Sequence, residues 1–231
     1  MIRVKWFGHS AFLIYGDRGN ILIDPFLNEN SLSPVKANEL NDIDIILVTH
    51  GHFDHLGDTI EIATRNKSKV VAIAELATYL SKFGIDTLGM NFGGKVEING
   101  IKIWMFPAVH SSSIIDNTGK IIYMGNPASF LIEYNGRRIY HAGDTMVFKD
   151  MELIPKIAGE IDLALLPIGG RYVMDVAQAL IALDLLKPKK VIPMHYNTWN
   201  IIRADPYYFK EKAKEKGVEV YVINPGEEIE I

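Results

Sequence analysis

The stretch "LVTHGHFDHLGD", Leu47 to Asp58, places three histidines and two aspartates directly after an apolar run. Histidine is scarce in this chain, 7 in 231 residues, so three within six positions call for a chemical reason. His50 and His52 stand two apart, which in extended chain sends both imidazoles to one side. Gly51 between them removes a Cβ where the backbone has to bend. Asp54 and His55 follow at an expected helix start and turn back toward the same point. One segment therefore offers two ligands to one site and two more to a neighbouring site. The chain has no cysteine, so any metal is held by nitrogen and oxygen, a donor set that suits zinc and also manganese or iron.

The same placement recurs downstream. Apolar, strand-like runs end on His50 ("IILVTH"), His110 ("IWMFPAVH"), Asp144 ("IYHAGD") and His195 ("VIPMH"). Strand ends can aim side chains rigidly into a shared mouth while loops vary around it. A lone histidine is more often a core or surface residue than a ligand, and that reading suits His141, three residues before Asp144. It does not suit H-x-H-x-D-H after a strand with three further strand-terminal ligands, where the motif and its context agree on a metal site.

Composition limits the rest. The hydrophobic fraction of 48% is ample for a core, and 231 residues fit one domain spanning 1–231. A formal net charge of -4 offers no basic field for a long nucleic acid or an anionic membrane. The N-terminus alternates like a strand rather than a signal peptide, and no apolar run has the length of a membrane span. The expected location is cytoplasmic. The expected partner is a small molecule, and a homo-oligomer is compatible with the sequence.

Three strands open the chain, with "LNENSLSPVKANELND" as a long loop before the third that is either a pocket cover or a solvated connector. "DHLGDTIEIATRN" reads as one helix opened by Asp54, and "AELATYLSKFG" as a helix stopped by Gly84. Two Asn-Gly pairs, in "VEINGIKIWMF" and "FLIEYNGRRIYHAG", predict tight type I′ hairpins. Strands and helices then alternate through "DLALLPI", "VAQALIALDLLK", "KVIPMH", a helix capped by Asp205 with Pro206 in its first turn, and a closing strand "VEVYVIN". That order predicts an α+β fold of two sheets packed face to face with helices outside.

At these residues the chain resembles the metallo-β-lactamase superfamily, over essentially its whole length. "THGHFDH" at 49–55, "AVH" to His110, "HAGDT" with Asp144 and "MHY" with His195 stand in that superfamily's ligand order. "WFGHSAFLI" and "PIGGRYVMD" narrow the resemblance to small metal-dependent hydrolases similar to the ascorbate-6-phosphate lactonase. The resemblance implies a four-layer αββα sandwich of two mixed sheets and two divalent metal ions per chain, zinc first, with manganese or iron as alternatives. It assigns His50, His52 and His110 to one ion, Asp54, His55 and His195 to the other, and Asp144 as the bridge. His9 matches the "GHS" position as a supporting or substrate-facing residue. The absence of cysteine separates the chain from β-lactamases that ligate through one. His52 stands where flavodiiron proteins carry Glu, and the length leaves no room for the extra domain of RNA-processing nucleases.

The expected chemistry is hydrolysis of a small ester, lactone or phosphodiester by a metal-bridging hydroxide. Asp54 and Asp144 are the candidate proton acceptors, and His9 or Tyr196 the candidate proton donors to a leaving group. Ser111, Arg171 and Tyr196 lie after the ligands as candidate substrate contacts, with Arg171 suited to an anionic group. A metal-containing binding or regulatory protein is the alternative class, and an RNA-processing nuclease a more remote one.

Overall fold

A computed structural model describes residues 2–231. The first half lays down β1 (Arg3–Trp6), β2 (Phe12–Tyr15), β3 (Ile21–Ile23), β4 (Ile45–Leu47), α1 (Phe53–Leu56), α2 (Thr59–Asn66), β5 (Lys69–Ile73), α3 (Ala74–Ser81) and β6 (Thr87–Met90). The second half adds β7 (Lys95–Ile98), β8 (Ile101–Pro107), β9 (Ser113–Ile115), β10 (Ile121–Tyr123), β11 (Ala128–Tyr134), β12 (Arg137–His141), α4 (Leu153–Ala158), β13 (Leu163–Pro167), α5 (Val176–Leu186), β14 (Lys190–Met194), α6 (Pro206–Lys214), β15 (Glu219–Val220) and β16 (Glu228–Glu230).

Two seven-stranded mixed sheets result, in the orders β16-β1-β2-β3-β4-β5-β6 and β15-β14-β13-β12-β11-β8-β7, with β9 and β10 pairing as a separate ribbon. Each sheet has an antiparallel part followed by a parallel part: β1–β3 then β3–β6, and β7, β8, β11, β12 then β12–β15. The inner strands β3 (ILI) and β13 (LALLP) are buried at every position. That pattern marks strands covered on both faces, by the other sheet on one side and helices on the other. Side chains from both sheets join one continuous apolar core, and the architecture is the αββα sandwich. Among the described residues no helix is long and apolar enough to cross a membrane.

Both Asn-Gly pairs form the expected tight turns. Asn99 and Gly100 have φ of 53° and 75°, Asn135 and Gly136 48° and 77°, the double positive φ of a type I′ turn. The registers Ile98↔Ile101 and Tyr134↔Arg137 follow directly from them. Asp205 caps α6 by accepting from the Tyr207 and Tyr208 amides at 2.9 and 3.2 Å. Asp205→Ala is expected to cost about 1 kcal/mol of stability, read as a lower urea midpoint with unchanged slope.

Three expectations change. The helix opened by Asp54 is two helices: α1 is preceded by His52 as its N-terminal cap residue, and α2 begins only at Thr59. Gly57 breaks them apart with φ of 42°. A Cβ there would collide with the Pro25 carbonyl, so the segment turns sharply under the β3 loop. "VEVYVIN" pairs as a strand only over Glu219–Val220. The chain then returns to add β16 beside β1, through Arg3↔Glu230 and its neighbours, a pairing between sequence ends that no local pattern announces. Gly51 has no positive φ; it is needed for space, because a Cβ would lie 2.6 Å from Met124 Cβ.

Candidate metal centre

The topology explains why distant ligands meet. Because β8, β12, β13 and β14 run in one direction within their sheet, their C-terminal ends share one edge. β1, β3 and β4 are likewise co-directional in the other sheet. His9, His50, His110 and Asp144 each stand three residues beyond the end of β1, β4, β8 and β12, and His195 one residue beyond β14. These candidate site residues are thus on the first turn of the connecting loops rather than on the strands. Both sheets deliver them to one mouth, the usual place for sites in sheets with parallel strands.

The donor atoms form two groups with a carboxylate between them. His50, His52 and His110 bring nitrogens within 4.8 Å of one another, and His50 Nε2 stands 2.9 Å from His52 Nδ1. Asp54, His55 and His195 converge likewise, with His9 beside them. Asp144 reaches both groups: its Oδ1 lies 3.1 Å from His55 Nε2, and its Oδ2 lies 3.0 Å from His195 Nε2 and 3.5 Å from His110 Nε2. A tetrahedral ion with bonds of about 2.0–2.1 Å requires donors roughly 3.4 Å apart, which is the scale of these separations.

Buried polar atoms without hydrogen-bond partners test the fit independently. His55 Nε2, Asp144 Oδ1 and both ring nitrogens of His195 are buried and unpartnered. Buried polar groups are normally satisfied. Each neutral imidazole keeps one lone-pair nitrogen, so His55, His195 and Asp144 together present a donor set that a divalent metal would satisfy.

Asp24 aligns both groups from behind. Fully buried, it accepts from the Thr49 amide at 2.8 Å, from the Thr49 hydroxyl at 2.6 Å, and from His55 Nδ1 at 2.7 Å. The Thr49 hydroxyl proton points at Asp24, so its oxygen accepts from His50 Nδ1 at 3.0 Å. One carboxylate thereby fixes the tautomer of an imidazole in each group and leaves both Nε2 lone pairs aimed into the centre. The electrostatics of the polypeptide show the charge that a cation would meet in place of a proton on His55. Burial, then the charge of His55, pushes His50 well below the usual imidazole range, and burial also lowers His52 and His110. Burial opposes protonation of His55 too, yet Asp144, Asp24 and Asp54 outweigh it and hold His55 well above that range. Asp144, despite burial, is held well below the usual carboxylate range by His195 and His55. The centre carries surplus negative charge that a cation would neutralise.

The other sequence-predicted residues divide. His9 is fully buried, with Nε2 3.0 Å from Asp54 Oδ2 and Nδ1 2.9 Å from Thr198 Oγ1. Burial, then the charge of His195, lowers it to about 4, so at neutral pH it donates through Nε2 and accepts from Thr198. Both ring nitrogens are engaged by the protein, and the one facing the centre contacts Asp54. Ser111 borders the cavity, its Oγ 3.4 Å from His52 Nε2. Arg171 is exposed and does not line the cavity, but it packs over the ring of Tyr172, which does. Tyr196 is buried with its ring stacked on Trp6 at 5.6 Å, also away from the cavity. His141 is a structural residue, bonded to the Ser10 carbonyl and the Gly143 amide. Sequence reading missed Asp24 and Thr49. The signal for Asp24 was present, since "LIDPF" is another strand ending on an acid.

The centre opens into a cavity of about 920 Å³. Its donors are mounted on the loop edge of an αββα sandwich, and residues 19–196 match the family model for the β-lactamase superfamily domain. The chain belongs to that superfamily. It is 53% identical over 230 residues, covering all of both chains, to a UPF0173 metal-dependent hydrolase of Nanoarchaeum equitans. It is 50% identical, again over the full length of both, to one of Thermococcus onnurineus. Among solved structures it is similar to Igni18, a metallo hydrolase from Ignicoccus hospitalis, at 39% identity and a TM-score of 0.88, covering 99% of this chain and 97% of that one.

Proposed function

We propose that the protein is a metal-dependent hydrolase that cleaves a small ester, lactone or phosphodiester at a pair of divalent ions. The observation that carries this reading is the set of buried, unpartnered donor atoms on His55, Asp144 and His195, between two groups of convergent ligands. In this reading His50, His52 and His110 hold one ion, Asp54, His55 and His195 the other, and Asp144 contacts both. Ions bound there would supply Lewis acidity, bringing the pKa of water toward neutrality and polarising a substrate oxygen. The donor set is compatible with zinc, manganese or iron.

The chain's own residues do the rest. Asp144 sets the spacing of the two groups through its two oxygens. Asp24 and Thr49 keep His50 and His55 in the tautomers that present Nε2 inward. His9 donates to Asp54 Oδ2 and so holds that carboxylate toward His195 and His55, 3.8 and 3.9 Å away. The Ser112 hydroxyl accepts from the Gly51 amide at 3.1 Å and ties the His50–His52 turn to the loop after His110.

The reading is tested by loading the protein with zinc or manganese and assaying esters, lactones and phosphodiesters, each with and without a chelator. Chelator-sensitive turnover is expected. Full metal occupancy with no turnover on any class would overturn the hydrolase reading in favour of a binding protein. Asp24→Asn replaces an all-acceptor carboxylate with an amide whose NH2 must face a donor, either the Thr49 amide or the pair formed by the Thr49 hydroxyl and His55 Nδ1. Metal affinity is expected to fall about 10–100-fold, measured by competition with a chromogenic chelator.

A further inference from the structure

We propose that the substrate carries an uncharged aromatic or branched aliphatic group, held by the cavity wall beside the metal donors, and not a phosphate or carboxylate. The inference rests on the hydrolase reading and concerns a different part of the site, the surface that selects the substrate rather than the atoms that react.

Three aromatic rings build much of that wall. Phe26, Phe53 and Trp199 line the cavity, with ring centroids 5.8 Å apart for Phe26–Phe53 and 6.0 Å for each pair with Trp199. They form a mutually supporting triangle, and Trp199 also stands edge-on to His9 at 5.0 Å, linking the wall to the partner of Asp54. Ile114 and Ile115 of β9, and Ile201, add aliphatic surface. Several of these side chains project into water: Phe53 is 64% exposed, Ile115 69% and Ile201 46%. Leaving such side chains uncovered around one concavity is unfavourable by roughly 25 cal/mol per Å², and contiguous exposed apolar surface marks a binding site. The cavity volume of about 920 Å³ lies in the range of sites for small organic ligands.

Charge points the same way. Among the described residues no lysine or arginine lines the cavity. Outside the metal donors its charged side chains are Glu29 and Asp58, both acidic, and Asp58 is spent on the Leu27 and Asn28 amides, each at 2.9 Å. Recognition of a phosphate or carboxylate remote from the metals needs a cation or several convergent donors. The uncharged polar side chains of the lining are Asn28, Ser111, Ser113 and Tyr172, and an anionic group would meet these neutral donors and nearby carboxylates with no cation to offset its desolvation. Arg171, the sequence candidate for anion binding, is not itself in the lining; it packs over the ring of Tyr172 at the cavity rim, and its exposed guanidinium keeps its hydration there. A neutral apolar group is the chemistry this wall accepts.

The test compares two ligands with the same metal-binding head and different tails, phenylacetohydroxamic acid and succinic monohydroxamic acid, titrated calorimetrically into the zinc-loaded protein. The phenyl compound is expected to bind about tenfold more tightly or better. Phe53→Ala and Trp199→Ala are each expected to narrow the preference to about threefold or less. Phe53 is largely exposed, so its variant retains the fold, checked by an unchanged unfolding temperature and zinc content. Equal affinities, a preference for the succinyl compound, or a phenyl preference untouched by both substitutions overturns the proposal. The assay needs no turnover. A phenyl preference in a protein that hydrolyses nothing supports the cavity proposal and sinks the hydrolase reading. Turnover fastest on substrates that carry a carboxylate or phosphate remote from the bond cleaved does the reverse.

Discussion

Asp144→Ala is expected to remove hydrolysis and at least one of two bound metal ions together, with turnover falling by about 10³-fold or more, equivalent to roughly 4 kcal/mol of transition-state stabilisation. Its two oxygens have three candidate donors within 3.5 Å, His55, His195 and His110. Alanine removes the carboxylate that separates the two imidazole groups and one of the two candidate donor carboxylates, Asp54 being the other, that would offset the proposed pair of cations. His55 would retain Asp24 and Asp54 as acidic neighbours but lose the partner that its inward nitrogen faces. Asp144→Asn is the companion variant. It keeps the shape and one neutral oxygen donor, so retained folding with lost metal assigns the effect to charge. Elemental analysis of the purified variants, with kinetics on whichever substrate the wild type turns over, reads both quantities. Two ions per chain in the alanine variant would exclude the bridging role.

Gly169→Ala is expected to destabilise the protein by about 3 kcal/mol, seen as an unfolding temperature lower by roughly 6–12 °C for a chain of this size, and to weaken metal binding as well. Gly169 follows β13, where its backbone passes against the loop that carries His195. A Cβ there would fall on the His195 carbonyl oxygen and crowd Ile202 Cβ at 3.2 Å. The obstacle is backbone, not the end of a flexible side chain, so relief requires moving the loop. His195 is already held in the left-handed region at φ of 55°, its amide tied to the His9 carbonyl at 3.0 Å. Any shift is therefore transmitted to a ligand. An unchanged unfolding temperature would show that the β13 and β14 loops yield at no cost. The "PIGG" stretch that helped define the resemblance thus has a packing explanation: its first glycine gives His195 room.

The parts of this molecule that were legible in advance share one property, local encoding. The type I′ hairpins were readable because Asn99-Gly100 and Asn135-Gly136 tolerate the positive φ that the turn needs. The α6 boundary was readable because Asp205 and Pro206 satisfy orphan amides and the first-turn geometry. The ligand-bearing segments were readable because each polar ligand interrupts or ends an apolar run. What resisted reading depends on contacts distant in sequence. The break at Gly57 is set by the Pro25 carbonyl, and the β16–β1 pairing by a register between residues more than two hundred positions apart.

The site divides in the same way. The sequence by itself determined the donor inventory, its order along the chain and the absence of any sulfur ligand, because those are properties of residue type and spacing. Only the tertiary structure decided which donors face one another, that Asp24 governs the tautomers of two candidate ligands, that His9 is sealed behind Asp54, and that Tyr196 is absent from the cavity lining while Arg171 reaches only its rim through Tyr172. The physical reason is that a donor's partners are set by co-directional strand ends in two sheets, and a cavity's character by side chains from separate loops. Neither relation is carried by any single stretch of chain. The segment 47–58 declares a metal centre, while Phe26, Phe53 and Trp199, brought together only by folding, form the wall proposed to select what the centre acts on.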